Sequence, residues 1–219
     1  MLCAAHGKDG LAMLKGAVMA KKIRARVTKT RKVYVHNDIS QAATTFNNAT
    51  QEKAKGDRTG VSYYGMATAV LTAFAFEAKL NFMGAQLAKA NKISAWNEFQ
   101  SWDKKLKIVF GALGLSTDKS TRPLATMEKM KVLRDKVAHG KPVELTTTEI
   151  MTATPEEVDL AAGANLSAGW EVDCTPESVA DGIGDLDDLW KQMVEKSGLD
   201  LFDTMTHGEG AIDFIAHVE

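Results

Sequence analysis

Residues 133–142, Leu-Arg-Asp-Lys-Val-Ala-His-Gly-Lys-Pro, gather the side chains best able to do chemistry: Arg134, Asp135, Lys136, His139 and Lys141. A guanidinium stays charged and carries five donors in a fixed fork, so it needs a carboxylate or a phosphate opposite it. An imidazole titrates near neutrality and can take or give a proton there. Lys129, Lys131, Lys136 and Lys141 surround the stretch with positive charge, a field that suits an anionic ligand. Together these residue types point to gripping an anion and moving a proton beside it.

The elements that must position them can also be read. Gly140 suits the left-handed position after a last helical turn and Pro142 cannot continue the ladder, so a helix ends here. Met127, Met130, Val137 and Ala138 fall at helical spacing around Arg134, which places the arginine inside the apolar stripe of its own helix, facing another helix. His139 follows five positions later, about 140° round an ideal helix. The two meet at one substrate only if the last turn loosens or a second chain supplies half of the site. A carboxylate interrupts another apolar stripe at Glu77, between Phe74 and Leu80, and must take a proton or find a cation. Arg134 is its natural partner, either as a core ion pair that fixes helix register or as part of a catalytic group.

Arg134, four residues and His139, with Asp135 directly after the arginine, resembles the R-x4–6-H signature of the HEPN superfamily. These are all-α proteins that include many metal-independent ribonucleases of toxin–antitoxin, phage-defence and RNA-guided immune systems. The placement at a helix end, and a long apolar helix with an embedded acid (Phe76-Glu77-Ala78) about sixty residues upstream, are similar to the family pattern. The resemblance covers about residues 60–195. It implies an all-α, HEPN-like antiparallel helical bundle and an endoribonuclease in which the ribose 2′-hydroxyl attacks the adjacent phosphodiester. His139 then transfers a proton, Arg134 holds the phosphate, and Asp135 and Glu77 orient them. Lys131, Lys136 and Lys141 bind RNA. No metal or cofactor enters this chemistry, and the implied partners are RNA, a second copy in a two-fold dimer with residues 127–139 near its axis, and an antitoxin protein. The alternatives are a non-catalytic HEPN-like module binding nucleotide, RNA or protein, and a plain helical scaffold.

Charge separates along the chain although the net is only −1. Lys and Arg outnumber Asp and Glu 12 to 4 over residues 1–60 and 13 to 6 over 61–142, whereas residues 143–219 hold 2 against 18. A basic front suits an RNA-binding surface, and solvated helix faces account for it equally. The acidic tail is expected to pack partly against that basic portion and moderate RNA affinity. Cys3 and Cys174 lack metal-ligand or redox spacing, which with the absence of a spanning apolar run suggests the cytoplasm and no membrane. The first twenty residues lack the apolar centre of a signal peptide, and Met13 or Met19 could be the natural start.

Three regions are expected: a basic arm over residues 1–37, the helical domain over 38–198 and an acidic tail over 199–219. Residues 21–35 alternate like a strand, and the residues Gly169, Trp170, Glu171, Val172 and Asp173 look like its partner in a small β-ribbon. The arm reaches for nucleic acid or serves as a structural or dimer appendage. Helices are expected over 39–55 behind an Asn37 or Asp38 cap, 60–90, 95–113 behind a Ser94 cap, and from Pro123 to the signature. Lys104, Lys105 and Lys107 are assigned to the outer side of the third. Two Thr-Pro-Glu starts follow, at Thr154 with Gly163 ending that short helix, and at Thr175 with Ser197-Gly198 ending the last one. Residues 211–218 are expected to form a final turn or fray. His6, His36, His207 and His217 have no company suggesting ligation or catalysis.

Overall fold

A computed structural model describes residues 22–162, 166 and 168–218. Cys3, His6, the alternative starts and the Gly163 helix stop lie outside the described residues. The chain forms two compact units, a two-stranded antiparallel ribbon and a helical unit over Val33–Thr206.

In the ribbon, β1 (Lys22–Lys32) pairs with β2 (His207–Val218). The partner expected at residues 169–173 is therefore wrong: Glu171–Cys174 is a 3₁₀ turn, and the C-terminal end forms the second strand. Alternating Ala211, Ile212, Asp213 and Phe214 supply the period-two pattern. The arm and the tail, read as separate regions, meet in one sheet.

The helical unit is organised around α2 (Val61–Lys89), which packs against α1 (Val35–Lys55), α3 (Trp102–Leu113), α4 (Leu124–His139) and α6 (Pro176–Ser197). Its residues are apolar on most sides, and Phe76, Leu80 and Met83 are fully buried. Burying such a side chain is worth about 1.5–3 kcal/mol, so α2 supplies much of the drive for the fold. Two of its glycines set how closely neighbours approach. A Cβ at Gly65 would run into the Cys174 carbonyl, and one at Gly84 into the Trp96 ring.

That ring contact helps to correct the third helix. Trp96 packs on the core from an irregular segment, and Phe99 is 88% exposed instead of joining a stripe. Asn97 Oδ1 accepts from the Phe99 amide at 2.9 Å, a local bond that competes with helix, so α3 begins only after Ser101. Neither Ser94 nor Asp38 caps a helix: α1 starts at Val35 behind an uncapped Tyr34. The later signals hold. Thr154 and Glu157 exchange capping bonds at the start of α5 (Pro155–Ala162), Thr175 Oγ1 accepts from Ser178 N at 3.2 Å, and Gly198 ends α6 in the left-handed conformation.

His36, given no role from sequence, is 2% exposed between α1, α2 and α6. Its ring centroid lies 4.6 Å from that of Phe82 and 5.0 Å from that of Trp190. The Lys79 ammonium, also buried, stands 4.5 Å from the Trp190 ring centre. Burial first, and Lys79 second, lower the His36 pKa from 6.5 to about 4, against the raising effects of Thr204 and Asp38. A histidine whose folded pKa is depressed favours the folded state above its unfolded pKa, and that advantage is lost as pH falls from 6.5 towards 4. The melting temperature should accordingly drop as pH is taken from about 6.5 to about 5, above the main carboxylate range. In His36→Phe the slope in this window should flatten; an unchanged slope would mean the histidine is not the titrating group.

Candidate functional site

The stripe of α4 buries Leu124, Met127, Met130 and Leu133, and Arg134 emerges beside it, turned into the unit. Its Nη1 lies 3.1 Å from Glu77 Oε2, as the interrupted stripes suggested. Glu77 has a second cation: Lys105 Nζ lies 2.7 Å from Oε1. Lys105 is 2% exposed, so its assignment to an outer face is corrected. Trp102, Leu106, Val109, Phe110 and Leu113 form the buried stripe of α3, and position 105 falls within it at helical spacing. That is the signal by which it could have been found.

The network continues towards the surface. The Arg134 guanidinium lies 5.2 Å from the Phe74 ring centre. Its Nε is 2.9 Å from Asp135 Oδ1, an ion-pair distance, yet the N–H is not aimed at that oxygen and this buried donor makes no hydrogen bond. Lys131 Nζ donates to Asp135 Oδ2 at 3.1 Å. Burial pushes the Glu77 pKa up, but Lys105 and Arg134 outweigh it and hold the carboxyl below the usual range.

His139 is exposed on a different side of α4 from the Arg134–Glu77 pair, as the 140° offset requires. It lines an open cleft of about 690 Å³ with Val132, Asp135, Lys136, Lys141 and Trp170. Gly140 ends the helix at φ 47°, which turns the chain so that Lys141 and Val143 form one bank. The 3₁₀ turn after Trp170 anchors the other, since that indole packs against the buried cluster that includes Met130 and Leu133.

The predicted residues thus separate into two groups. Asp135, Lys136, His139 and Lys141 share the cleft. Glu77 and Arg134 stand behind it, linked to it through Asp135, and Lys131 is engaged by the same carboxylate. Trp170, read from sequence as part of a strand, is a wall of the cleft. Cys174 is buried beneath, its thiol pushed up to about 11 by burial and by Asp173 and Glu171, so it is not poised as a nucleophile. Ammonium groups beside an indole and a titratable ring can hold an anion carrying a flat apolar group and move a proton at it. Among the described residues no His, Cys, Asp and Glu cluster could hold a metal ion, and no helix is long and apolar enough to cross a membrane. Comparison with protein-family models, curated proteins and solved structures finds no match to this chain.

The shared carboxylate generates a ranking of stabilities. Glu77→Gln leaves two cations facing a neutral amide and should cost roughly 3 kcal/mol, whereas Arg134→Ala, after which Lys105 still satisfies Glu77, should cost about 1–2 kcal/mol. The Glu77 contribution is in place above the ordinary carboxyl pKa near 4.5 and is lost as pH falls through the lowered folded value. Denaturant unfolding of both variants at neutral pH checks the order; an arginine variant as damaged as the glutamine variant would contradict it.

Proposed function

We propose that the chain is a metal-independent endoribonuclease of the HEPN kind, acting in the cleft at the end of α4. The observation that carries this reading is the exposed His139 standing between Lys136 and Lys141 in a cleft walled by Trp170. RNA lies with a phosphate at the lysines and a base against the indole. The 2′-oxygen attacks phosphorus and loses its proton, and the 5′-oxygen departs and gains one, leaving a 2′,3′-cyclic phosphate and a 5′-hydroxyl. His139 serves one of these transfers. Lys136 and Lys141 offset the charge that develops on the phosphoryl oxygens. We place the active form as a two-fold dimer, in which the imidazole of a second copy serves the other transfer.

Arg134 has a different part from the phosphate-holding one that the resemblance implies. Bound by Glu77 and away from the cleft, it is a positioning residue, acting on Asp135 and on the rotation of α4. The same observation favours a second reading, a cleft that binds nucleotide or RNA without cutting it.

Incubation of the purified protein with total RNA in EDTA separates the two. Wild type should generate 5′-hydroxyl and cyclic phosphate ends. His139→Ala should lower the rate by at least about a hundredfold. Its melting temperature should not move, because the side chain is exposed. If well-folded wild type cuts none of a broad RNA panel, the binding reading replaces the nuclease one.

A further inference from the structure

β1 carries Lys22, Arg24, Arg26, Lys29, Arg31 and Lys32, six cations in eleven residues. β2 answers with only Glu209 and Asp213. All six cations are exposed, and among the described residues none is in an ion pair, not even Arg26, which stands across from Asp213. Exposed, uncompensated charge of one sign along an extended element is what a polyanion selects.

The register sorts these charges by face. Lys22, Arg24, Arg26 and Lys32 share one face with Thr28 and Thr30. The other holds Ile23, Ala25 and Val27, then Lys29 and Arg31, opposite His217, Phe214, Ile212, Gly210 and Gly208 in turn. Phe214 is 58% exposed and lies edge-on to His217, ring centres 5.1 Å apart. Across from Lys29 and Arg31 are glycines, so no cross-strand side chain crowds either cation. One face therefore offers an apolar and aromatic patch running into a flat cationic end. Same-face residues repeat about every 6.7 Å, so the strand presents charge along roughly 35 Å.

We propose that this ribbon is a binding arm for single-stranded nucleic acid, with bases on the patch of Phe214 and His217 and phosphates on the β1 cations. Single strands match because their base faces are free to stack, whereas a duplex hides them. A membrane surface matches less well, since elements that lie on lipid keep cations off the apolar face and this one puts Lys29 and Arg31 on it. Bases would also cover apolar side chains that a two-stranded ribbon cannot bury by itself. The proposal does not depend on the reading of the cleft.

The test uses the full chain and a fluorescent single-stranded DNA of about twenty nucleotides, which has no 2′-hydroxyl and so survives a ribonuclease. Anisotropy is followed over about 50–200 mM salt. Wild type should bind. Changing Arg24, Arg26, Lys29 and Arg31 together to Gln should weaken binding at least about tenfold at the lowest salt. It should also make the slope of log affinity against log salt shallower by about 3, at roughly 0.7 per phosphate contact. Replacing the three arginines by lysine should retain the slope, showing that charge and not strand pairing was lost. Phe214→Ala should weaken binding about tenfold with the slope unchanged. The oligonucleotide carries no 2′-hydroxyl, so this result is read separately from the fate of the nuclease reading. The proposal is overturned if wild type binds no oligonucleotide, if the four-Gln variant keeps affinity and slope, if Phe214→Ala binds as wild type does, if a duplex of equal length binds more tightly, or if the protein takes up phosphatidylserine vesicles and not the oligonucleotide.

Discussion

One carboxylate, Glu77, holds three helices of this protein to a fixed arrangement. It sits on α2 and receives Lys105 from α3 and Arg134 from α4, at 2.7 and 3.1 Å. Removing these charges from water costs several kcal/mol for each ion, and their attraction repays that only at good geometry. The triad therefore specifies geometry more than it adds net stability. Once Arg134 is directed at Glu77, the rotation of α4 is set, and residues about 140° away on the same helix must face outward. His139 and the cleft follow from that constraint. The buried acid is in this sense connected to the exposed histidine by helix geometry, without touching it.

α2 has a second charged residue two positions on, and it is accommodated differently. Lys79 is buried over the Trp190 ring, and its pKa is lowered to about 8 by burial, with Asp187 acting in the opposite direction. No carboxylate forms an ion pair with it among the described residues. Beside it His36 stays neutral, with Nε2 making no hydrogen bond. One helix thus carries a charge satisfied by two cations and, nearby, a cation satisfied mainly by an aromatic face. The first fixes the end of the unit that carries the cleft, and the second fixes how α1 and α6 meet.

Much of the helical unit was legible because its long helices carry continuous stripes and recognisable ends. The Thr175-Pro176 start, the Ser197-Gly198 stop and the Gly140 turn are local devices that tertiary structure left alone. The Arg134–Glu77 pair was legible for a related reason: each interrupts an apolar stripe, and opposite charges that do so must find one another. Lys105 meets the same criterion, since it falls at helical spacing among Trp102, Leu106 and Val109. The pairing of β1 with β2 was not legible, since 174 residues, 33–206, separate the strands and nothing local selects one partner over another. Trp170 escaped for the opposite reason. Short apolar runs read equally well as strand, and only the packed core showed that this indole closes a cleft.

On the proposed reading, Arg134 is committed to the interior while His139 meets the RNA. Nitrogen-15 NMR of the imidazole and guanidinium side chains, recorded while a 2′-deoxy dinucleotide too short to span the ribbon is added, observes both groups in one experiment. A large perturbation of the His139 ring resonances is expected, with an Arg134 Nε–H resonance that stays in place. A shift at Arg134 with His139 unmoved would contradict it.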